Sequence, residues 1–158
     1  MSPVEPRERR RTTVAIKESL RELSVALSLV NLQVSGRLEM RHIDLDCLDL
    51  IGRHGPLSPT ALARLAGVHA ATVTGILDRL EKAGWIARER DAADRRAVVV
   101  RVRRERAHEI FAMYAGLNAD MDGIFASYGD AELDVLADFL RRCADAGRKA
   151  ANDLAAGS

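Results

Sequence analysis

Arginines are the side chains with the most chemical potential in this sequence of 158 residues. Lysines make up only three of the 24 basic residues: Lys17, Lys82 and Lys149. A guanidinium group is planar and permanently charged, and it forms paired hydrogen bonds with phosphate and with guanine. The net charge is +1, but residues 53–106 carry +6 and residues 107–158 carry −5. Such segregation is typical of a nucleic-acid-binding face, and the alternative is a solvated basic surface.

Groups that perform covalent or metal chemistry are sparse. The two cysteines, Cys47 and Cys143, lack Cys-x-x-Cys spacing, and the four histidines lack His-x-x-x-His spacing. The sequence contains no nucleophile motif and no glycine-rich phosphate loop. The aspartates of residues 44–49 are not surrounded by the glycine turn and ligand series of a calcium loop. We therefore expect no enzyme activity, no metal and no cofactor, and cysteines that pack as small apolar residues.

The element that would position the arginines begins with two short helical patterns joined by a glycine turn. Ser58 can cap the first helix, Pro59 suits its first turn, and Gly67 ends it. The second helix, residues 70–83, ends at Gly84 and buries one apolar stripe made of Val73, Ile76, Leu77 and Leu80. A short helix, a tight turn and a longer helix present the second helix to a major groove.

A hairpin pattern follows these helices. Residues 85–90 read as one strand and residues 97–103 as the next, which alternates between an apolar and a basic face: Val98, Val100 and Val102 against Arg101 and Arg103. The polar tip between the strands, residues 91–96, could reach a minor groove, where narrow A·T stretches attract arginine.

Two consecutive stretches, Leu80–Arg88 and Asp91–Val100, resemble the multiple-antibiotic-resistance regulator (MarR) family. The family's wing carries an Asp-x-Arg signature, which Asp94 and Arg96 match. The match covers roughly residues 44–103. The resemblance implies a dimeric, ligand-responsive transcription factor, here expected to be a repressor.

In such proteins the recognition helix (here residues 70–83) enters the major groove and the wing (residues 88–101) enters the minor groove. The residues expected at DNA are Ser58, Thr60, His69, Ala71, Thr72, Thr74, Gly75, Arg79, Arg88, Asp94, Arg95 and Arg96. His69 stands where the family often has a capping serine or aspartate, so either the cap is weak or His69 contacts DNA. Gly75 replaces an outward side chain and costs roughly 1 kcal/mol of helix propensity, which indicates close backbone approach or reduced base readout.

One further departure follows the second strand. The Thr-x-x-Gly entry to the next helix that is familiar in the family is replaced by Arg103–Arg106. This leaves the operator sequence and the affinity open, but not the fold.

The flanking regions read as helices. An amphipathic pattern from Val14 to Met40 is apolar on more than one side, and two more helical patterns follow residue 103, the last capped by Asp130. A shorter helix, Asp44–Ile51, would support the helix-turn-helix, with the inward residues Leu45, Leu48 and either Ile51 or Leu50.

The predicted fold is mainly α with a small β-hairpin wing: a winged helix-turn-helix, residues 44–103, plus a helical dimerisation module, residues 13–43 and 104–158. The alternative for the first long helix is a core helix within one chain. In a dimer the two recognition helices would lie ~34–36 Å apart and would require a pseudo-palindromic operator.

The resemblance also implies a small, often aromatic or anionic ligand bound between the dimerisation module and the winged helix. Its binding would shift the distance between the two recognition helices. Candidate lining residues, chosen by chain position alone, are Leu38, His42, Cys47, Phe111 and Tyr114. The alternative is that these residues fill the core.

Residues 1–12 are polar and rich in arginine, so we expect a flexible basic arm that is either frayed or in contact with the DNA backbone. The sequence has no signal-peptide core and no long apolar run, which predicts a soluble, cytoplasmic protein. A function of another class stays open: a winged-helix scaffold whose basic face meets an acidic protein partner. Salt-dependent binding to a palindromic duplex would separate the two.

Overall fold

The computed structural model describes residues 6–157 of the chain. Along this range the elements are helices α1 (Pro6–Arg37), α2 (His42–His54), α3 (Pro59–Ala66) and α4 (Ala70–Lys82), strands β1 (Ile86–Arg90) and β2 (Val98–Val102), and helices α5 (Arg104–Phe125) and α6 (Asp130–Ala156). The predicted fold, mainly α with one β hairpin, is confirmed.

The chain divides into two compact units, one ending at Leu45 and the other beginning at Asp46, so the division falls within α2. The second unit contains the winged helix together with α5 and α6. The grouping of residues 13–43 with residues 104–158 in one dimerisation module stays a prediction.

Helix α1 begins earlier and ends earlier than the apolar pattern predicts. Residues 6–12, expected to form a flexible arm, are helical, and residues 1–5 lie outside the described range. The hydroxyl groups of Thr12 and Thr13 donate to the Glu8 and Arg10 carbonyls, at 3.1 and 2.9 Å. The helix stops at Arg37 because Glu39 turns into the left-handed region at φ 53°.

Helix α2 extends beyond the predicted segment at both ends. Leu45, Leu48 and Ile51 are at most 2% exposed, whereas Leu50 is half-buried. The inward residue that the sequence left open is therefore Ile51. Cys47 is fully buried, as expected for a small apolar side chain.

The predicted caps hold α3 and α4 in a tight pair. Ser58 Oγ accepts a hydrogen bond from the Ala61 amide at 3.1 Å, and Gly67 ends α3 at φ 66°. At the end of α4, Gly84 has φ 78°, and the Trp85 amide reaches back to the Leu80 carbonyl at 2.9 Å. This left-handed glycine stop satisfies helix-end carbonyls and turns the chain into the wing.

The wing is a two-stranded antiparallel sheet whose register pairs Ile86 with Val102 and Arg90 with Val98. The expected alternation of valines is wrong at one end. Val98 is 39% exposed, whereas Val99 and Val100 are buried, because the sheet leaves the core as it approaches its tip. Leu57, just before α3, pairs with Val100 through hydrogen bonds of 2.8 and 3.1 Å, which ties the hairpin to the helix-turn-helix.

Helices α5 and α6 carry no buried residue within the described range. The prediction that Asp130 caps α6 is wrong, because the N-cap is Gly129. The Glu132 carboxylate accepts the Gly129 amide at 2.8 Å and thereby closes the helix start. Asp130 instead lies in the first turn, where a negative charge is favourable.

Candidate nucleic-acid interface

Helix α4 presents a narrow polar face opposite its buried stripe. The predicted stripe of Val73, Ile76, Leu77 and Leu80 is at most 2% exposed and fixes the rotation of the helix. The exposed residues near its start are Ala70, Ala71, Thr72 and Thr74. Their small side chains allow close approach of the helix to another surface.

The start of α4 is open. His69 is the N-cap, exposed and in extended conformation, and among residues 6–157 its side chain makes no capping bond. The weak cap that the sequence suggested is therefore present. First-turn amide groups without a side-chain acceptor are free to meet water or an anionic oxygen.

Ser58 and Thr60 lie at the start of α3. The Ser58 hydroxyl serves α3 as its cap and is half-buried, whereas Thr60 is exposed. The structure thus gives Ser58 a structural role, while its expected contact with DNA stays a prediction.

Farther along α4, Gly75 and Arg79 lie on one face. A Cβ on Gly75 would lie 3.5 Å from Arg79 Nη1, so the guanidinium group covers the place of the missing side chain. The Thr74 hydroxyl donates to the Ala70 carbonyl at 3.2 Å, which leaves its oxygen lone pairs available outward. Arg79 is half-buried.

The wing root, which we define as the paired strands β1 and β2, holds Arg88 and Arg101 in ion pairs, whereas its third arginine, Arg90, donates to the Arg95 carbonyl at 3.1 Å. Arg88 reaches back to α4, where Asp78 accepts at 2.6 Å and Glu81 accepts a second bond. The hydrogen bond to Asp78 raises the pKa of Arg88 above its ordinary value, burial opposes this, and the charge of Glu81 adds to it. Arg101 pairs across the sheet with Glu89 at 3.3 Å. Arg88 therefore clamps the wing onto α4.

The wing tip, residues 91–97, is shaped by two aspartates that accept backbone amides. Asp91 accepts from Ala93 at 2.7 Å and Asp94 from Arg96 at 2.9 Å. The side chains of Arg95 and Arg96 are exposed and have no hydrogen-bond or ion-pair partner between residues 6 and 157. In the Asp-x-Arg signature, Asp94 shapes the turn and leaves the arginine free.

The five candidate ligand residues are divided between the two units. Leu38 and His42 belong to the first unit, and Cys47, Phe111 and Tyr114 belong to the second. Cys47 has no exposed surface and Phe111 is 71% exposed. Tyr114 is half-buried, and burial followed by the charges of Asp49 and Asp46 raises the pKa of its phenol. A ligand site at these residues stays a prediction.

Sequence reasoning missed the contacts that join the elements. The carboxylates of Asp78 and Glu81 stand one helical turn apart, a spacing that could have indicated a basic partner on the following strand. The contact of Arg106 with Trp85, 3.6 Å from the guanidinium carbon to the ring centroid, has no comparable local signal because 21 residues separate the two.

Across residues 6–157, no single helix combines the length and the apolar character that a membrane span needs. Helices α3 and α4 reach that length and apolar character only together, across a bend of 109°.

Comparison with known proteins identifies relatives of this geometry. The MarR family model matches residues 43–98. The regulator YcgE of Bacillus subtilis (strain 168), named an HTH-type transcriptional regulator, is 30% identical over 125 residues, which span 79% of this chain and 81% of YcgE. The HTH-type transcriptional repressor YetL of the same organism is 30% identical over 84 residues, spanning 53% of this chain and 50% of YetL.

Among solved structures, NadR in complex with 4-hydroxyphenylacetate superposes with a TM-score of 0.63 at 25% identity, covering 82% of this chain and 92% of NadR. The named relatives are transcriptional regulators, which agrees with the expectation that the protein is not an enzyme. With the capped α3–α4 pair, the wing and its Asp-x-Arg tip in place, the chain belongs to the MarR family of winged-helix transcriptional regulators.

Proposed function

We propose that two copies of this chain bind a pseudo-palindromic operator, with α4 of each in the major groove and each wing tip in the adjacent minor groove. The observation that carries the proposal is the pair of exposed arginines at the wing tip, Arg95 and Arg96, which lack a partner among the residues described. Their turn is pre-formed by Asp94, so little conformational entropy is lost when they enter a groove.

The apolar surfaces of the C-terminal helices support dimerisation. Phe111 on α5 is 71% exposed, and Val135 and Leu154 on α6 are 68% and 76% exposed. Burial of apolar surface yields roughly 25 cal/mol per Å², so helices of 22 and 27 residues without a buried side chain gain most by packing on another copy. The dimer would set the distance between the two recognition helices.

The small side chains of α4 favour a particular kind of readout. The methyl groups of Ala71, Thr72 and Thr74 suit apolar contact with thymine methyl groups, and the lone pairs of a threonine oxygen suit a base amino group. Longer side chains that make paired hydrogen bonds with guanine are absent from these three positions. We expect substitutions at Thr72 or Thr74 to alter sequence preference more than overall affinity.

We also propose that a small molecule regulates DNA binding. YetL is named a repressor, and NadR was solved with 4-hydroxyphenylacetate, an aromatic anion. We infer that this chain is a cytoplasmic repressor that releases DNA when an aromatic or anionic ligand changes the separation of the recognition helices. The candidate residues that line the ligand site are Leu38, His42, Cys47, Phe111 and Tyr114.

The experiment is nuclease footprinting on the DNA flanking the protein's own gene, at several salt concentrations, with and without extracted metabolites. The expected result is a protected dyad with half-sites one helical turn apart, and an affinity that falls steeply with salt. Arg148→Ala on α6 removes one exposed guanidinium group together with its ion pair to Asp145, and it serves as the control for the change in net charge.

Absence of protection in dilute salt would contradict the proposal. Salt-sensitive capture of an acidic protein by a chain that ignores duplex DNA would favour the scaffold function instead.

A further inference from the structure

One arginine closes the junction between the end of α4 and the start of α5. The Arg106 guanidinium group stacks on the Trp85 ring, 3.6 Å from its centroid. Its Nη1 donates to the Ala83 carbonyl, while Nε and Nη2 donate to the two carboxylate oxygens of Glu109 at 3.0 and 3.1 Å. A single side chain of α5 thus contacts the C-cap of α4, the residue that precedes β1 and a second residue of α5.

Two of these contacts lie where one secondary-structure element ends and the next begins. Ala83 is the C-cap of α4, where helix-end carbonyls carry partial negative charge and lack intrahelical donors. Trp85 is 2% exposed and precedes β1 directly. The Arg103 amide adds a bond to the Trp85 carbonyl at 2.9 Å, so backbone and side chain hold the same joint.

Within this joint, Arg103 and Arg106 belong to the segment that departs from the family pattern. Arg106 stands where the familiar Thr-x-x-Gly entry has its glycine, and a glycine could make neither the stack nor the two hydrogen-bonded contacts. Arginine is also hard to replace by lysine here, because only a planar group can stack on a ring and grip a carboxylate with two parallel bonds.

We propose that Arg106 is a positioning residue that fixes the angle between the recognition helix and α5. This inference rests on the proposed function, because in a dimer held by its terminal helices that angle sets the distance between the two recognition helices. Without Arg106, α4 would sample several angles, and the dimer would tolerate operators whose half-sites are spaced differently.

The test uses the full-length protein and its Arg106→Met variant, which keeps an aliphatic stem over Trp85 but loses the cation and its donors. Arg104→Met is the matched control, because Arg104 is exposed two residues away and has no partner within residues 6–157. The probe is a pool of inverted-repeat duplexes with randomised half-sites. The half-site that the wild type selects is then rebuilt with one base pair more or less between the repeats.

The wild type and Arg104→Met are expected to prefer the selected spacing by roughly tenfold or more, since one base pair rotates and shifts one half-site relative to the other. Arg106→Met is expected to lose most of that preference, to about twofold. A variant that is merely less stable would lower the active fraction equally for every duplex and leave the ratio unchanged.

A second readout needs no DNA. Trp85 is the chain's only tryptophan, so its near-ultraviolet circular dichroism reports the stack directly. The signal should change in Arg106→Met and in the milder Arg106→Lys, but not in Arg104→Met. Wild-type spacing preference in Arg106→Met, or an unchanged Trp85 signal, would overturn the inference alone, whereas a wild type that binds no duplex would overturn the proposed function with it.

Discussion

Two arginines of the wing root, Arg88 and Arg101, and the two arginines of the wing tip have the same chemistry but opposite surroundings. At the root, Arg88 and Arg101 are paired with the carboxylates of Asp78, Glu81 and Glu89. At the tip, the side chains of Arg95 and Arg96 extend into solvent. Only the backbone atoms of these two residues take part in the hydrogen bonds of the turn.

This contrast separates structural from functional charge. A paired guanidinium group is already neutralised locally and must break its ion pairs before it can bind phosphate, whereas a free one has only its hydration to exchange. A count of basic residues in the segment therefore overstates the number of groups ready for DNA. Variants at the tip and at the root should therefore differ in their effects on DNA binding.

The largest effect is expected from the tip. Arg95→Ala and Arg96→Ala should each weaken operator binding by roughly 1–3 kcal/mol through loss of wing contacts. Because neither side chain has a partner within residues 6–157, the free energy of unfolding should stay within about 0.5 kcal/mol of the wild type. Fluorescence anisotropy with labelled duplex and urea unfolding measure the two quantities.

The control for the tip variants is Arg148→Ala, which removes the same charge from α6. Both tip variants should bind more weakly than this control. Equal affinity of wild type, control and tip variants would refute a role of the tip in DNA binding.

A smaller effect is expected at the root. Arg88→Met leaves the carboxylates of Asp78 and Glu81 unneutralised on the recognition helix, so DNA binding should weaken by roughly 1 kcal/mol. If Arg88 acts only by pairing, Asp78→Asn together with Glu81→Gln should restore binding in the Arg88→Met background. The three proteins are compared by titration at one salt concentration.

Failure of that restoration, with a free energy of unfolding equal to that of the wild type, would indicate a direct contact of Arg88 with DNA, as the sequence suggested. The arginines of the root and of the tip would then both contact DNA directly.

The smallest effect concerns pH at the joint between α4 and α5. The Glu109 pKa is lowered chiefly because Arg106 donates to its carboxylate, with further help from the charges of Arg106 and His108 and against opposing desolvation. Its contribution to stability is therefore fully present above the unfolded value, about 4.3, and is lost as the pH falls through the lower folded pKa.

Unfolding of the wild type and of Glu109→Gln between pH 7 and pH 3 measures this contribution. The gap between the two free energies should be constant near neutrality and should close in acid. A difference in the free energy of unfolding that persists below the folded pKa would contradict the role of the Glu109 carboxylate. The tip variants should show the same pH dependence of unfolding as the wild type.

The local features of the fold could be predicted from sequence because each has a local cause. Ser58, Gly67 and Gly84 stop or start helices through their own backbone and side-chain chemistry, and the stripe of α4 follows from helical periodicity. The Asp-x-Arg signature likewise locates the wing tip. Among the inward residues of α2, periodicity alone did not decide between Leu50 and Ile51.

The remainder depends on contacts between distant residues. The exposure of Val98 reflects how far the hairpin projects from the core, and alternation within a strand does not encode that distance. The start of α1 was missed because Pro6–Thr12 is a polar segment without an apolar stripe. The pairing of Arg88 was missed because composition shows how many arginines a face carries, but not which of them are engaged.

The short bridge between Leu57 and Val100 has a dynamic consequence. The bridge holds the middle of strand β2 next to the capped start of α3, while the residues of the hairpin beyond the bridge project away from this attachment. Thermal motion should therefore concentrate outward of the bridge, where few contacts oppose it. The outer end of the hairpin can then search along a groove while the direction in which it points is kept by its anchor.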